Sequence, residues 1–257
     1  MPNNRKAVPA YGRILKGIGL MGYNGPAALM DIVDNCIEAK AKKINIYFEQ
    51  DKNLKTKSRL SSIIIEDDGE GMDIDQMFNA LQLGSPKSEG CYSENSLSKF
   101  GFGLKSAGFS VAKKITIISR KSPLDEWKKS YISYDDIRNT NDWNIYEDEK
   151  LNDCEKMYTD KKEDKGTFIF LDEMQPVFTE KKKDTFVKNI CEAAALTFGS
   201  LLDQFEIYVD GIKIEPDDPL FWNEAVDYIE DYDGTKPCRF RKDIPSAQLG
   251  ITTIKGK

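Results

Sequence analysis

The spacing of apolar residues along the chain predicts a series of helices and strands. Apolar side chains recur at three- and four-residue intervals through residues 27–41, which predicts a helix with one buried face. Residues 44–48 alternate like a strand, and the β-branched run within residues 60–66 predicts its hairpin partner. A short helix is predicted within residues 72–83.

The second half of the chain shows the same two kinds of pattern. Residues 114–119 and 166–171 predict two paired central strands, and residues 127–134 predict another strand between them in sequence. The polar residues 135–165 are expected to form a surface excursion. Two further elements, an amphipathic helix and a hairpin with Asp-Gly at its turn, are predicted at residues 180–202 and 205–214.

Composition places the chain among ordinary globular proteins. Its 257 residues can bury a core in one large domain, or in one domain plus a fragment. A net charge of −6 gives no global basic field for nucleic acid. No apolar run has membrane-spanning length and the N-terminus lacks a signal-peptide core, so we expect a cytoplasmic protein without a membrane partner. Five scattered cysteines indicate reduced, mostly buried thiols.

The histidine count is zero, and this excludes several kinds of chemistry within the chain. It excludes a Ser-His-Asp triad, a histidine-ligated zinc and an HNH-type nuclease. It also removes the phosphoacceptor of a self-contained histidine kinase.

A carboxylate followed by two glycines ends the second predicted strand. Asp67, Gly69 and Gly71 form an Asp-x-Gly-x-Gly sequence that continues into Met72. Glycines let a backbone approach a ligand closely, and Asp67 can present its carboxylate there. Because Asp-Gly turns close many strands, this sequence alone favours an ordinary turn over a ligand site.

Two other stretches carry polar residues in a suggestive arrangement. Asp31 and Asn35 lie one turn apart on the first predicted helix. Residues 101–103 are glycine-rich and open a later helix, whose exposed N–H groups are typical of a phosphate site, and Lys105 adds a positive charge one turn in. The serine-containing segment 84–100 before it has few apolar side chains and indicates a loop.

Together the three stretches resemble the motifs of the GHKL ATPase family, which includes gyrase B, the ninety-kilodalton heat-shock chaperones, histidine kinases, MutL and the MORC proteins. With Lys105 in the third motif, the chain looks most like the MORC-type branch, and the resemblance covers roughly residues 20–215. It implies an α/β (α+β) two-layer sandwich of the Bergerat type, with a mixed, mainly antiparallel sheet and its helices on one face.

The resemblance also implies the ligands, ATP and Mg²⁺, and the residues that hold them. Asp67 would accept from the adenine amino group and share a water with Thr167, Met72 would pack on the base, and Asn35 would hold Mg²⁺. Asp31 and Lys105 are the implied catalytic residues, with Asp31 orienting the attacking water. The implied nucleotide contacts are Asn35, Asp67, Gly69, Gly71, Met72, Leu83, Gly84, Ser85, Lys87, Gly101, Phe102, Gly103, Leu104, Lys105 and Thr167.

At position 31 the chain departs from the better-known relatives, which have glutamate there. Aspartate is shorter by about one C–C bond, ~1.5 Å. A misplacement of that size costs on the order of a hundredfold in rate, so slow hydrolysis is expected. Three functions therefore stay open: an ATP-driven switch as in MORC and MutL proteins, a GHKL-class kinase acting on a separate protein, and a non-hydrolysing ATP sensor.

The expected organisation is an ATP-binding domain over residues 1–215, with a lid at about 84–100, and a C-terminal extension over 216–257. The extension has a helix-like patch and a strand-like run at 251–254, and it resembles the start of a transducer-like domain. The analogy implies a nucleotide-dependent homodimer that exchanges or docks residues 1–24, and an effector of unknown identity. DNA contact is expected only through parts outside this chain.

Overall fold

The computed structural model describes residues 9–19, 24–50, 60–84, 103–147, 150–179, 183–216, 225–227 and 238–240. The chain divides into two compact units, residues 1–214 and 215–257. The larger unit contains all of the predicted motif residues that the structure describes.

The larger unit is built on an eight-stranded sheet. The strands are β1 (Lys43–Gln50), β2 (Leu60–Asp67), β3 (Ala112–Arg120), β4 (Lys128–Ser133), β5 (Tyr146–Glu147), β6 (Gly166–Met174), β7 (Glu206–Val209) and β8 (Ile212–Lys213). Their order across the sheet is β5-β4-β3-β6-β2-β1-β7-β8. Every neighbouring pair is antiparallel except β1 and β7, which run parallel. The predicted mixed, mainly antiparallel sheet is confirmed.

The described helices are α1 (Tyr11–Gly19), α2 (Gly25–Glu38), α3 (Ile74–Leu81), α4 (Gly103–Val111), α5 (Tyr134–Thr140), α6 (Asp153–Thr159), α7 (Pro176–Thr179) and α8 (Lys183–Phe198), the last followed by a 3₁₀ turn, Gly199–Leu201. Except for α6, they form a layer on one face of this sheet, where the main core lies. Within that layer α2 packs against α4 and α8, and α4 contacts the sheet through β3. The two-layer α/β fold expected from the sequence is therefore present.

Helix α2 begins where its sequence predicts. The side chain of Asn24 accepts a hydrogen bond from the backbone N–H of Ala27 at 2.8 Å, and Pro26 occupies the first turn, which needs no N–H donor. The apolar face then buries Leu29, Ile32 and Val33 completely. Burying side chains of this size contributes about 1.5–3 kcal/mol each, so this face fixes how α2 lies on the sheet.

The opposite face of the sheet carries a second, smaller core. Its buried members, drawn from three adjacent strands, are Ile64, Ile118, Phe168 and Phe170. Tyr158 of α6 packs on this cluster, and Glu155 of the same helix forms a buried ion pair with Lys129 of β4 at 2.9 Å. The expectation of a plain surface excursion at 135–165 is thus corrected, because α6 covers the sheet face that the helix layer leaves open.

In the smaller unit, β9 (Ala225–Asp227) and β10 (Cys238–Phe240) pair antiparallel. The helix-like patch predicted for this region is therefore not helical at 225–227. The strand predicted at 251–254 lies outside the described residues, and the functional meaning of the extension stays a prediction.

Two glycines with nearly the same positive φ give a matched test of the fold. Gly71 has φ +70°, and a Cβ there would lie 2.0 Å from the carbonyl oxygen of Arg120. Gly84 has φ +71°, with no atom of the described residues within 4 Å of such a Cβ. We expect Gly84→Ala to lower the free energy of unfolding by about 1–2 kcal/mol, from the left-handed backbone alone. Gly71→Ala should cost about 2–4 kcal/mol because the clash is added. Urea denaturation measures both, and equal losses would contradict the close approach at Gly71.

Candidate functional site

Three polar side chains form one row across the ends of three adjacent central strands. Asp67 of β2 is the register partner of Thr167 of β6, and Thr167 is the partner of Ser119 of β3. Register partners in antiparallel strands project from the same face. Residues two positions along each strand, Ile65, Ile169 and Ile117, belong to the main core, so the row faces the helix layer.

Asp67 is a buried carboxylate at the end of β2. Its side chain is 3% exposed, and its Oδ1 accepts a hydrogen bond from the Gly69 N–H at 2.8 Å. Burial raises the pKa of Asp67 to about 6, while Gly69, Cys36 and Lys162 act in the opposite direction. A carboxylate that is ionised at neutral pH yet withdrawn from water is suited to accept hydrogen bonds from a bound ligand.

The glycines after Asp67 have a role within the fold itself. A Cβ at Gly69 would lie 2.6 Å from the carbonyl oxygen of Ala39, just after α2. The neighbouring Glu70 N–H donates to that same carbonyl at 2.9 Å. Together with the contact between Gly71 and Arg120, this fixes the turn between α2 and β3. The backbones that approach these glycines are the protein's own, which the sequence argument did not foresee.

Met72 is half-buried and packs against the main core. Its backbone N–H donates to Ser119 Oγ at 2.8 Å, so the end of the turn is tied to β3. A cleft of about 460 Å³ is lined by Met72, Ser119 and residues of the β3–β4 connection. Its lining includes neither Asp67 nor Thr167, so the buried carboxylate is not part of this cleft.

Asp31 and Asn35 lie on α2, both partly buried. The Asn35 side-chain amide donates to the backbone oxygen of Asp31 at 2.9 Å, which fixes the rotamer of Asn35. The other amide atom, Oδ1, is a neutral oxygen of the type that Mg²⁺ accepts. Asp34, which the sequence argument did not single out, has a pKa raised to about 6 by burial and by the charges of Asp31 and Glu38.

Lys105 lies inside the protein in this structure. The residue is 2% exposed, and its ammonium group donates to the backbone oxygen of Ala80 in α3 at 2.8 Å. Burial lowers the pKa of Lys105 to about 8. The predicted contact of Lys105 with phosphate stays a prediction, and it requires this ammonium group to leave Ala80. The partly buried Gly103 and Leu104 form the first turn of α4 beside it.

The remaining predicted contacts surround the segment 84–100. Leu83 is half-buried and Gly84 exposed, directly after α3. Ser85, Lys87, Gly101 and Phe102 lie outside the described residues. Among the described residues, no group of three or more Cys, Asp or Glu side chains is placed to hold a metal ion.

Sequence reasoning missed Ser119. A serine near the end of a strand carries no signal of its own. However, Ser119 lies two and four positions from the buried Ile117 and Ile115, so strand alternation would have placed it on the helix-facing side.

Comparison with known proteins agrees with this geometry. The sequence profile of the family described as histidine kinase-, DNA gyrase B-, and HSP90-like ATPase matches residues 23–167, more than half of the chain. The chain belongs to this family, as its motifs predicted, and membership implies ATP binding.

A particular relative agrees with the branch expected from Lys105. The chain is 29% identical over 94 residues to the protein named ATPase MORC2B of Mus musculus. The match covers 37% of this chain and 9% of the mouse protein, so the chain spans a small part of that relative. In the part of the chain that the structure describes, no helix is long and apolar enough to cross a membrane.

The raised pKa of Asp67 predicts a pH dependence of ligand affinity. The ionised carboxylate accepts from an amino group and the protonated one does so poorly, so affinity should be full well above pH 6 and fall as pH drops through about 6. Adenosine is the suitable probe because it has no phosphate to titrate, and NMR titration measures its affinity. Asp67→Asn should bind more weakly and show no such step. Asp34→Asn should keep the step, and a step that survives in Asp67→Asn would remove Asp67 as its source.

Proposed function

We propose that the chain binds ATP with Mg²⁺ and hydrolyses it slowly, and that binding closes the segment 84–100 as a lid and brings two copies together. The observation that carries this proposal is the buried acceptor row of Asp67 and Thr167 beneath the helix that holds Asn35 and Asp31. Family membership implies ATP as the ligand. The carboxylate of Asp67 and the hydroxyl of Thr167 are acceptors suited to its base.

At the base, Asp67 accepts from the adenine amino group, and Thr167 shares a water with it. Met72 packs on the ring. Two features support this arrangement: the Gly69 N–H already fixes one oxygen of Asp67, and Met72 is held to β3 by its backbone. Preorganised acceptors of this kind need little rearrangement when the ligand binds.

At the phosphates, Asn35 Oδ1 contributes to holding Mg²⁺, and Gly101, Gly103 and Lys105 contact the phosphate oxygens. Protein sites for Mg²⁺ commonly combine few side chains with substrate phosphates and waters, which fits the single amide oxygen offered here. When bound, the cation neutralises charge that develops on the phosphates. The protein groups position the nucleotide and its attacking water.

Hydrolysis depends on Asp31 orienting that water. Its backbone oxygen holds Asn35, so Asp31 and the Mg²⁺ ligand are coupled through one hydrogen bond. The shorter acid at position 31 makes turnover slow. A non-hydrolysing ATP sensor is the second candidate, favoured by the observation that Lys105 is engaged with Ala80 inside the protein.

Trp143 supports a link between the lid and the N-terminal helix. Its ring lies 6.2 Å from that of Tyr11 in α1, and its Nε1 donates to the backbone oxygen of Leu81 at 2.9 Å. Leu81 ends α3, directly before the proposed lid. Movement of the lid root would therefore be transmitted to α1, within the segment proposed to dock between copies.

Substitution of Asp31 tests turnover. Asp31→Asn should bind ATP but release phosphate at least tenfold more slowly, because an amide cannot take up a proton from water. Asp31→Glu restores the family's longer acid and should keep or raise the rate. Inorganic phosphate release measures both, with ATP affinity as the control for folding. A wild-type protein that releases no phosphate, alone or with a partner, would favour the sensor.

Light scattering tests the switch. A non-hydrolysable ATP analogue with Mg²⁺ should double the molar mass, because the phosphates order the lid and expose the docking segment. Asn35→Ala should stay monomeric at the same analogue concentration, since it loses the Mg²⁺ ligand. An unchanged wild-type monomer at saturating analogue would contradict dimerisation by this chain.

A further inference from the structure

Ser119 makes three hydrogen bonds with one hydroxyl group. The residue is fully buried, and its Oγ lies 2.8 Å from the backbone nitrogen of Met72 and 2.8 Å from the backbone oxygen of Gly166. The same Oγ lies 2.9 Å from Oγ1 of Thr167. All of its hydrogen-bonding capacity is therefore used, and it stands at one end of the polar row, next to Thr167.

The chemistry of the partners fixes where each proton lies. A backbone N–H only donates, so Ser119 accepts from Met72. A carbonyl oxygen only accepts, so Ser119 gives its single proton to Gly166. The contact between Ser119 and Thr167 then needs a proton from Thr167, because Ser119 has none left. The alternative leaves two oxygens 2.8 Å apart without a hydrogen, at the cost of an unpaired buried polar group.

This arrangement leaves Thr167 with only acceptor lone pairs. Its neighbour in the row, Asp67, is likewise acceptor-only when ionised. The two buried side chains at the strand ends therefore offer acceptors and no proton. A water shared by the two gives one proton to each and can then only accept from the ligand. A ligand amino group therefore suits the site, and a carbonyl oxygen at the same place would face Asp67 and this water without a hydrogen.

We propose that Ser119 is a positioning residue that orients the Thr167 hydroxyl and so makes the base site select a 6-amino purine over a 6-oxo purine. This inference rests on the proposed nucleotide function and deepens it. Ser119 touches no part of the nucleotide and acts through the proton of Thr167. Because Ser119 also accepts a hydrogen bond from Met72, one side chain holds both the turn and the hydroxyl network.

The test compares ATP with inosine triphosphate, in which a 6-oxo group replaces the amino group. Wild-type protein should bind ATP at least about a hundredfold more tightly, because a site built for a donor rejects an analogue that lacks it. Ser119→Ala frees the Thr167 hydroxyl to donate, so this affinity ratio should fall about tenfold. Calorimetry with both nucleotides at neutral pH measures the ratio.

Ser130→Ala is the matched control. Ser130 is also a fully buried strand serine, and its hydroxyl has no hydrogen-bond partner in the described structure. This variant should leave the ratio unchanged, whatever it does to stability. If Ser119→Ala acted only through a general loss of packing, it would lower the affinities for ATP and for inosine triphosphate together and leave their ratio intact. That result for Ser119→Ala would overturn the proposal.

Thr167→Val separates an effect through Thr167 from any other effect of Ser119. In that background Ser119→Ala should no longer change the ratio, because the hydroxyl it releases is gone. If Ser119→Ala does not fold, the affinity ratios of the wild type and of Thr167→Val still test the inference. Wild-type protein that binds both nucleotides equally, or Thr167→Val with full discrimination, would refute the inference while leaving ATP binding in place. Failure of wild-type protein to bind ATP would instead refute the proposed function.

Discussion

A carboxylate held out of water at the end of a central strand is the constraint on which this structure depends. Asp67 is nearly inaccessible, and an ionised group in that position has to be hydrogen-bonded to be tolerated. The Gly69 N–H meets that need, and it can do so only because the following turn folds tightly back. Gly69 and Gly71 in turn allow Ala39 and Arg120 to close on the turn. This buried carboxylate and the close backbone contacts at the glycines after it therefore depend on one another.

The order of the sheet extends this local constraint into a row. Strand β6 lies between β2 and β3, so residues from three distant parts of the chain meet at one edge: Asp67, Thr167 and Ser119. Hydroxyl groups in such a row share protons, and what each can offer a ligand depends on its neighbour. The proposed selectivity of the site therefore depends on the sheet register as much as on the carboxylate.

Much of this architecture follows from patterns visible in the sequence. Asn24 before a proline marks the start of α2, and the β-branched run before Asp67 marks β2. The motif glycines point to the right turn, although not to the protein atoms that need them. Lys105 shows the limit, because lysine is normally exposed and only the packed structure shows its ammonium group at Ala80. The packing of Tyr158 on the second core was hidden for a related reason, since the polar residues around it obscure any apolar spacing.

The parallel pairing of β1 with β7 has a consequence for the integrity of the chain. Antiparallel partners such as β1 and β2 can meet soon after synthesis, whereas β7 comes from the far end of the domain and pays the larger loop-closure entropy. Until it arrives, β1 is an edge strand with unpaired backbone groups and with Ile44, Ile46 and Phe48 along it. Such an edge is a template for pairing with other chains. Docking of β7 thus pairs the part of this edge that carries Ile44 and Ile46 and removes that template.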